Sequence, residues 1–276
     1  MSLHLPVALV VLGGLLASPS QQPAAQNPPE PQQGQAGKDV IWMPTPEPLV
    51  ERMLTMAQVT PRDVVYDLGS GDGRMVIAAA KRGAQAYGVE FNPDLVAFSE
   101  NRARTQGVAQ KAHFVKADIF EADYSKATVV TLYLLSTLNL RLRPTLLKMR
   151  PGTRVVSHAF TMEDWTPDEI SRTENRTAYL WIVPAPIQGA WRFELPGASG
   201  FDVTFVQKYQ KLEGTVMLGT VEAGLREPVL RGDRLAFGFV DPKGAWYELE
   251  GTVAGDKISG TFKAAAKKGA FSAVRR

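Results

Sequence analysis

The run Asp67-Leu68-Gly69-Ser70-Gly71-Asp72-Gly73 sets three glycines on alternate positions, directly behind an acid and the apolar stretch Val64 to Leu68. Glycine has no Cβ, so such a backbone can turn sharply and lie close against a bulky ligand. A second carboxylate, Glu90, closes the next apolar stretch, Gln85 to Glu90. An acid at the end of that strand stands where a ribose could offer it two hydroxyls. The chemistry this suggests is recognition of a nucleoside. Dinucleotide-binding turns read G-x-G-x-x-G and neutralise a pyrophosphate with the free N–H groups of a helix start. Here the spacing differs, and Asp67 would repel a pyrophosphate but suits a ligand carrying positive charge.

S-adenosylmethionine (SAM) carries both an ammonium and a sulfonium. The pattern D/E-x-G-x-G-x-G, complete from Asp67 to Gly73, resembles the first motif of the class I, seven-strand SAM-dependent methyltransferases. That resemblance implies that Asp67, Gly69, Ser70, Gly71 and Gly73 wrap the methionine end of the cofactor. It also implies that Glu90 binds the ribose hydroxyls, Phe91 covers a face of the adenine, and Asp118 receives the adenine amino group beside Ile119. Ahead of the motif, Ile41-Trp42-Met43-Pro44-Thr45-Pro46 resembles the lysine methyltransferases that act on the ATP-synthase c subunit and the adenine nucleotide translocase, and their bacterial relatives. In that group the P-T-P segment closes over the cofactor and shapes the acceptor channel, which makes Thr45 an expected cofactor or acceptor contact. Pro44 and Pro46 also suit a plain helix start.

Methyl transfer from a sulfonium is an in-line displacement that needs positioning and exclusion of water rather than a protein nucleophile or a metal. A lysine acceptor must first lose its proton, which an apolar channel favours by lowering its pKa. The acceptor is expected at the end of the fourth strand, in Thr131 to Asn139. The D/N-P-P-Y motif of methyltransferases acting on DNA bases or glutamine is missing there. Tyr133 is the candidate for orienting the acceptor, with packing in the core as its other reading. Asn139 and Asp72 are lesser candidates, and His158, at the end of the fifth strand, could line the same pocket but stays outside the catalytic set because a lone strand histidine is more often structural. The chain has no cysteine, so thiolate chemistry is excluded, and His4, His113 and His158 are too scattered to suggest a metal site.

These residues must be held by strand and helix in alternation. Helices are expected over Pro46–Ala57, Arg74–Arg82, Pro93–Gln106 and Leu138–Met149. Strands are expected over Val64–Leu68, Gln85–Glu90, His113–Ala117, Thr128–Leu134 and Arg154–Ala159, with an antiparallel closing pair in Asp168–Pro184 and Ala178–Val183 as its inserted strand. That pattern predicts an α/β fold, a Rossmann-like doubly wound seven-strand sheet. From Ile187 onward helical periodicity gives way to short alternating segments between glycine turns, which predicts a small antiparallel β-barrel or sandwich, built as a meander. Trp191, Phe193, Phe237, Trp246, Phe262 and Phe271 are its expected core, with a lipocalin-like pocket as the other use of such a barrel.

The 276 residues and formal charge of +3 allow a sizeable core, and the scattered Lys and Arg do not suggest nucleic-acid binding. Leu5 to Leu16 is apolar but short of the roughly 20 residues a span requires, so residues 1–25 read as a secretory signal peptide or N-terminal anchor. The Gln-, Pro- and Gly-rich stretch to Lys38, with 26–40 as linker, is expected to be a disordered tether. Residues 41–185 would then form the SAM-dependent methyltransferase and 186–276 the β domain. The expected partner is a protein lysine rather than a small molecule, near a membrane through the N-terminal segment. An exported or membrane-anchored enzyme would sit apart from the cytoplasmic supply of SAM. The alternative from another class is a non-catalytic nucleoside- or peptide-binding protein with the β domain as its recognition module.

Overall fold

The computed structural model describes Met1 and residues 30–35, 37–39, 41–196, 200–265 and 267–276. The proposed leader, from residue 2 to 25, lies outside the described residues. Among the described residues no helix is long and apolar enough to cross a membrane, and no group of three or more acidic or His side chains could hold a metal.

The first unit alternates α1 (Glu47–Met56), β1 (Val64–Leu68), α2 (Arg74–Lys81), β2 (Gln85–Glu90), α3 (Pro93–Thr105), β3 (Ala112–Lys116), β4 (Val129–Leu132), α4 (Ser136–Leu146) and β5 (Arg154–His158). It ends in the hairpin β6 (Glu169–Thr173) and β7 (Arg176–Ile182). The sheet order is β3-β2-β1-β4-β5-β7-β6, with β1 to β5 parallel and β7 inserted antiparallel between β5 and β6. Glu174 and Asn175 turn that hairpin with φ of 49° and 61°, the paired left-handed conformation that matches the twist of two joined strands. Val65, Ala86, Ala112 and Val129 pack one sheet face against α1, α2 and α3, while Leu68, Val130, Leu132 and Val155 pack the other against α4. Helix α1 follows Pro46, whose fixed φ suits a helix start, and α3 is capped by the Asn92 side chain accepting from the Asp94 N–H.

The second unit is a nine-strand antiparallel sheet of β8 (Gly189–Glu194), β9 (Phe201–Lys208), β10 (Lys211–Leu218), β11 (Val221–Gly224), β12 (Arg226–Arg231), β13 (Arg234–Val240), β14 (Trp246–Ala254), β15 (Lys257–Ala264) and β16 (Lys267–Arg275). Each strand pairs with its sequence neighbour except β11 with β12, and the first strand, β8, pairs with the last, β16. The result is a nearly closed meander barrel, open only between β11 and β12. Its interior is filled by rings: Phe193 lies 5.5 Å from Phe201, 5.6 Å from Phe237 and 5.4 Å from Phe271, centroid to centroid. Offset and edge-on aromatic packing of this kind makes a core. Trp246 departs from the expected core set. It is 45% exposed and lies outside the barrel against β13, where a Cβ on Gly238 would overlap its ring.

The tether also departs from expectation. The Gly34 N–H donates to the Trp42 carbonyl and the Trp42 N–H to that of Gln35, at 2.9 Å each. The described part of 30–39 thus folds back as a turn. Composition alone misses this because the segment buries little of its own; it is held by Lys38 and Trp42 reaching the methyltransferase unit.

Candidate active site

A cavity opens over the C-terminal ends of β1, β2 and β4, at the point where the strand order reverses, the usual ligand position in open α/β sheets. Its lining includes Asp67, Gly69, Ser70, Gly71, Glu90, Phe91, Asp118 and Ile119, and also Thr45 and Tyr133. Gly73 is not part of that lining. It precedes α2 with φ of 76°, and a Cβ there would stand 2.7 Å from the Phe114 ring and 2.8 Å from Ser99 Cβ. Its glycine therefore serves close packing of the turn on β3 and α3. Gly71, with φ of 54°, faces Trp42, whose indole nitrogen a Cβ would overlap.

Two acids of the site are held in opposite ways. Glu90 accepts from the Gly71 N–H through one carboxylate oxygen and from the Asn92 N–H through the other, both at 2.9 Å. Its charge is thereby fixed at the strand end with lone pairs left for further donors. Asp67 is buried, and accepts from the Thr131 hydroxyl at 2.6 Å. Burial, then the charges of Asp72 and Glu90, push its carboxyl up to about 7 against the opposing Thr131 bond. A carboxyl poised in this way becomes an anion readily when a cation enters. Ser70 Oγ, buried, has no partner among the described residues, and a buried hydroxyl without a partner is costly unless a ligand supplies one.

The segment before α1 forms the roof. Gly37, Lys38, Ile41, Trp42, Met43, Pro44 and Thr45 all line the cavity, and Arg74 Nη1 ties the roof down by donating to the Thr45 carbonyl at 2.9 Å. Asp72 in turn accepts from Arg74 Nη2 at 2.7 Å and from Arg102 Nη1 at 2.6 Å, so it is an anchor for the roof. Asp118 receives the Lys38 ammonium, which lies 4.8 Å from the Phe91 ring centre. The Lys38 bond, followed by the Phe120 N–H, holds the Asp118 carboxyl below the usual range. In this structure Lys38 thus holds the place between Asp118 and Phe91 expected for adenine. Lys38, Trp42 and Arg74 were not foreseen as site residues; Trp42 stood in the quoted segment, and a large aromatic beside P-T-P was the available signal.

At the other end, the half-buried Tyr133 stacks on His158 with ring centres 3.8 Å apart and lies 6.2 Å from Phe160. Thr45 Oγ1 is 3.1 Å from His158 Nδ1. Asn139 is buried and its side-chain N–H groups reach the Phe160 and Thr161 carbonyls at 3.3 Å, which makes it a support for the loop after β5. Leu134 and Leu138 complete an apolar wall.

A cavity with a glycine floor, an exposed aromatic face at Phe91, paired acids at the strand ends and an orphaned hydroxyl fits a nucleoside bearing positive charge. Comparison with known proteins agrees. The model of the ANTKMT methyltransferase domain matches residues 67–169. A protein-lysine N-methyltransferase from Saccharolobus islandicus is 45% identical over 52% of this chain and 94% of its own length. The human lysine N-methyltransferase of the ATP-synthase c subunit is 34% identical over 47% of this chain, which spans just over half (56%) of that relative. A crystal structure described as an RNA methyltransferase from Salinibacter ruber, in complex with S-adenosyl-L-homocysteine, superimposes with a TM-score of 0.52 and 51% identity, covering 52% of this chain and 96% of that one. SAM is accordingly the cofactor, and the matched portion stops short of the barrel. The chain belongs to the ANTKMT-type family of SAM-dependent methyltransferases.

Proposed function

We propose that this chain methylates a lysine side chain of a protein. The observation that carries the reading is the near-complete coverage of the archaeal protein-lysine N-methyltransferase at 45% identity, and the geometry of the acceptor end is consistent with it. Tyr133, Thr45 and Leu134 offer an uncharged surface, largely flat and apolar, with His158 buried behind Tyr133 and Thr45. When bound, SAM supplies a methyl group already activated by the sulfonium. What the protein contributes is alignment: Asp67 and Glu90 fix the cofactor's charged and ribose ends, and the Trp42 roof excludes water. An amine desolvated at Tyr133 would favour its neutral form, with its lone pair free for the methyl group that bound SAM would supply. The leading apolar run, Leu5 to Leu16, supports the further reading that the enzyme is exported or anchored near a membrane.

The test is transfer of labelled methyl from SAM by the full chain into membrane protein, soluble protein and total RNA. Trimethyl-, dimethyl- or monomethyl-lysine in digests of the labelled protein is the expected product. Label confined to RNA, the acceptor named for the Salinibacter ruber relative, would overturn the lysine reading and leave the methyltransferase intact. Sequencing the N-terminus of the mature protein tests export, since an intact Met1 with soluble fractionation removes it.

A further inference from the structure

We infer that His158 is a positioning residue for methyl transfer, locking Thr45 of the roof and Tyr133 of the β4 end into one acceptor wall. The inference concerns the transfer step alone and is the same for a lysine or any other acceptor.

His158 is the last residue of β5, with no exposed surface. Two groups far apart in sequence meet on it. Thr45 Oγ1 bonds its Nδ1 at 3.1 Å, and the Tyr133 ring lies on its imidazole at 3.8 Å, inclined by 30°. Both partners line the cavity, whereas His158 stands behind them. Thr45 is therefore pinned twice: its backbone carbonyl by Arg74 and its side chain by His158. The chain then reverses sharply at Ala159, with φ of 64°, a conformation L residues adopt at a cost. Phe160 thereby returns its N–H to the His158 carbonyl at 2.8 Å and brings its ring to the same Tyr133.

If His158 only filled space, an apolar residue would do so more cheaply. Its Nε2 is buried without a partner among the described residues, which is unfavourable. An imidazole kept under that penalty points to the work done by Nδ1 and the ring face. Burial, then the charge of Arg176, lowers its pKa to about 4, so the group is neutral near pH 7. A neutral ring places no positive charge beside the sulfonium or an arriving amine. The Thr45 side chain, held through its hydroxyl by His158, is thereby fixed in one orientation in the cavity wall.

The experiment uses His158→Phe, which retains a flat ring for Tyr133 and removes the nitrogen, and His158→Asn, whose amide can still reach Thr45. Thr45→Val and the double variant Thr45→Val/His158→Phe complete a cycle. With melting curves as the folding control, SAM affinity by calorimetry should be unchanged, while transfer into whichever fraction the parent labels falls roughly 10- to 100-fold, as expected for a misplaced reacting group. The double variant should lose no more than either single one, and His158→Asn should keep more activity than His158→Phe. Full activity in His158→Phe, multiplicative losses in the double variant, or a parallel loss of SAM affinity would each overturn the assignment. A readout that needs no acceptor is nitrogen NMR of the imidazole in the SAM-saturated full chain. One neutral tautomer whose Nδ1 signal moves in Thr45→Val is expected, and a mixture of tautomers indifferent to that substitution would overturn the proposal. Should His158→Phe fail to fold, Thr45→Val against Thr45→Ser decides the same question, because serine keeps the hydroxyl: equal activity in the two would overturn the assignment.

Discussion

If Asp67 meets the cofactor's positive charge, as proposed, SAM binding should release a proton from it. Its carboxyl, raised to about 7 by burial and by Asp72 and Glu90, is largely protonated below that pH, whereas the cations of SAM favour the ionised form. SAM affinity should therefore weaken about tenfold per pH unit below about 7 and level off above it. Calorimetry at pH 6 in two buffers of different ionisation enthalpy should show one proton released per SAM, and Asp67→Asn should abolish both effects. The ligand-free fold has the opposite trend. The folded chain holds a proton that the unfolded chain gives up from its ordinary 3.8, so this contribution to stability is present at low pH and is lost as pH rises through about 7. The glycines divide by partner in the same way. Gly73→Ala would press a Cβ on Phe114 and Ser99 in a left-handed turn and should destabilise the fold by about 1–3 kcal/mol. Gly71→Ala meets the Trp42 side chain instead and should weaken SAM binding more than it lowers the melting temperature. Glu90, Gly69 and Gly71 were legible as lining residues from their spacing and Asp118 from the family resemblance, whereas Gly73 serves packing instead. Lys38 and His158 were not legible, since each acts only through residues that folding brings from afar.

Among the elements, β1 and β2 fall on their expected limits, with Asp67 next to the C-terminal end of the first and Glu90 at that of the second. The fourth strand is shorter than its apolar run suggests, Val129–Leu132 rather than on to Leu134, since Tyr133 and Leu134 leave the ladder to line the cavity. β11 and β12, at Val221–Gly224 and Arg226–Arg231, carried no clear signal: they are largely exposed edge strands beside the barrel's opening. An unforeseen contact links the units. The turn between β9 and β10 sends Tyr209 onto Trp165, with rings 5.8 Å apart, and Gln210 to the Trp165 indole N–H at 3.0 Å and the Thr166 carbonyl at 2.6 Å. Trp165 itself accepts from the Trp181 indole through its carbonyl at 2.6 Å. The loop after β5, which carries Phe160, is thereby clamped from the barrel side. Tyr209→Ala/Gln210→Ala should raise amide hydrogen exchange in residues 160–168 by far more than in β1 or β2, which retain their own ladder. Equal acceleration throughout would mean that the turn supports global stability and not this loop.

For the whole molecule the question is whether barrel and sheet fold as one unit. The buried core of the barrel runs from Ala185 to Ala273 and shares no residue with the two buried clusters of the methyltransferase sheet. Pairing of β8 with β16 closes it on itself, and Arg275 clasps the entry by donating to the carbonyls of Pro186 and Gln188 at 2.6 Å. Closure of first strand on last leaves only β11 and β12 as edges, at the opening, so little of the ladder needs the other unit for cover. Residues 186–276, expressed alone, should then unfold cooperatively and show the near-ultraviolet circular dichroism of fixed aromatic rings. Residues 30–185 retain every residue that lines the cofactor cavity and should bind SAM as the full chain does. They lose Tyr209 and Gln210 from Trp165, however, and the carbonyl of Gly232 that accepts the Ala185 N–H at 2.8 Å. Their melting temperature should fall by several degrees, which is the scale of 1–2 kcal/mol in a unit of this size. Scanning calorimetry of the three chains decides the matter. Two transitions in the full chain near those of the separated parts mean independent folding, while a barrel that stays unfolded alone means that the sheet is its template.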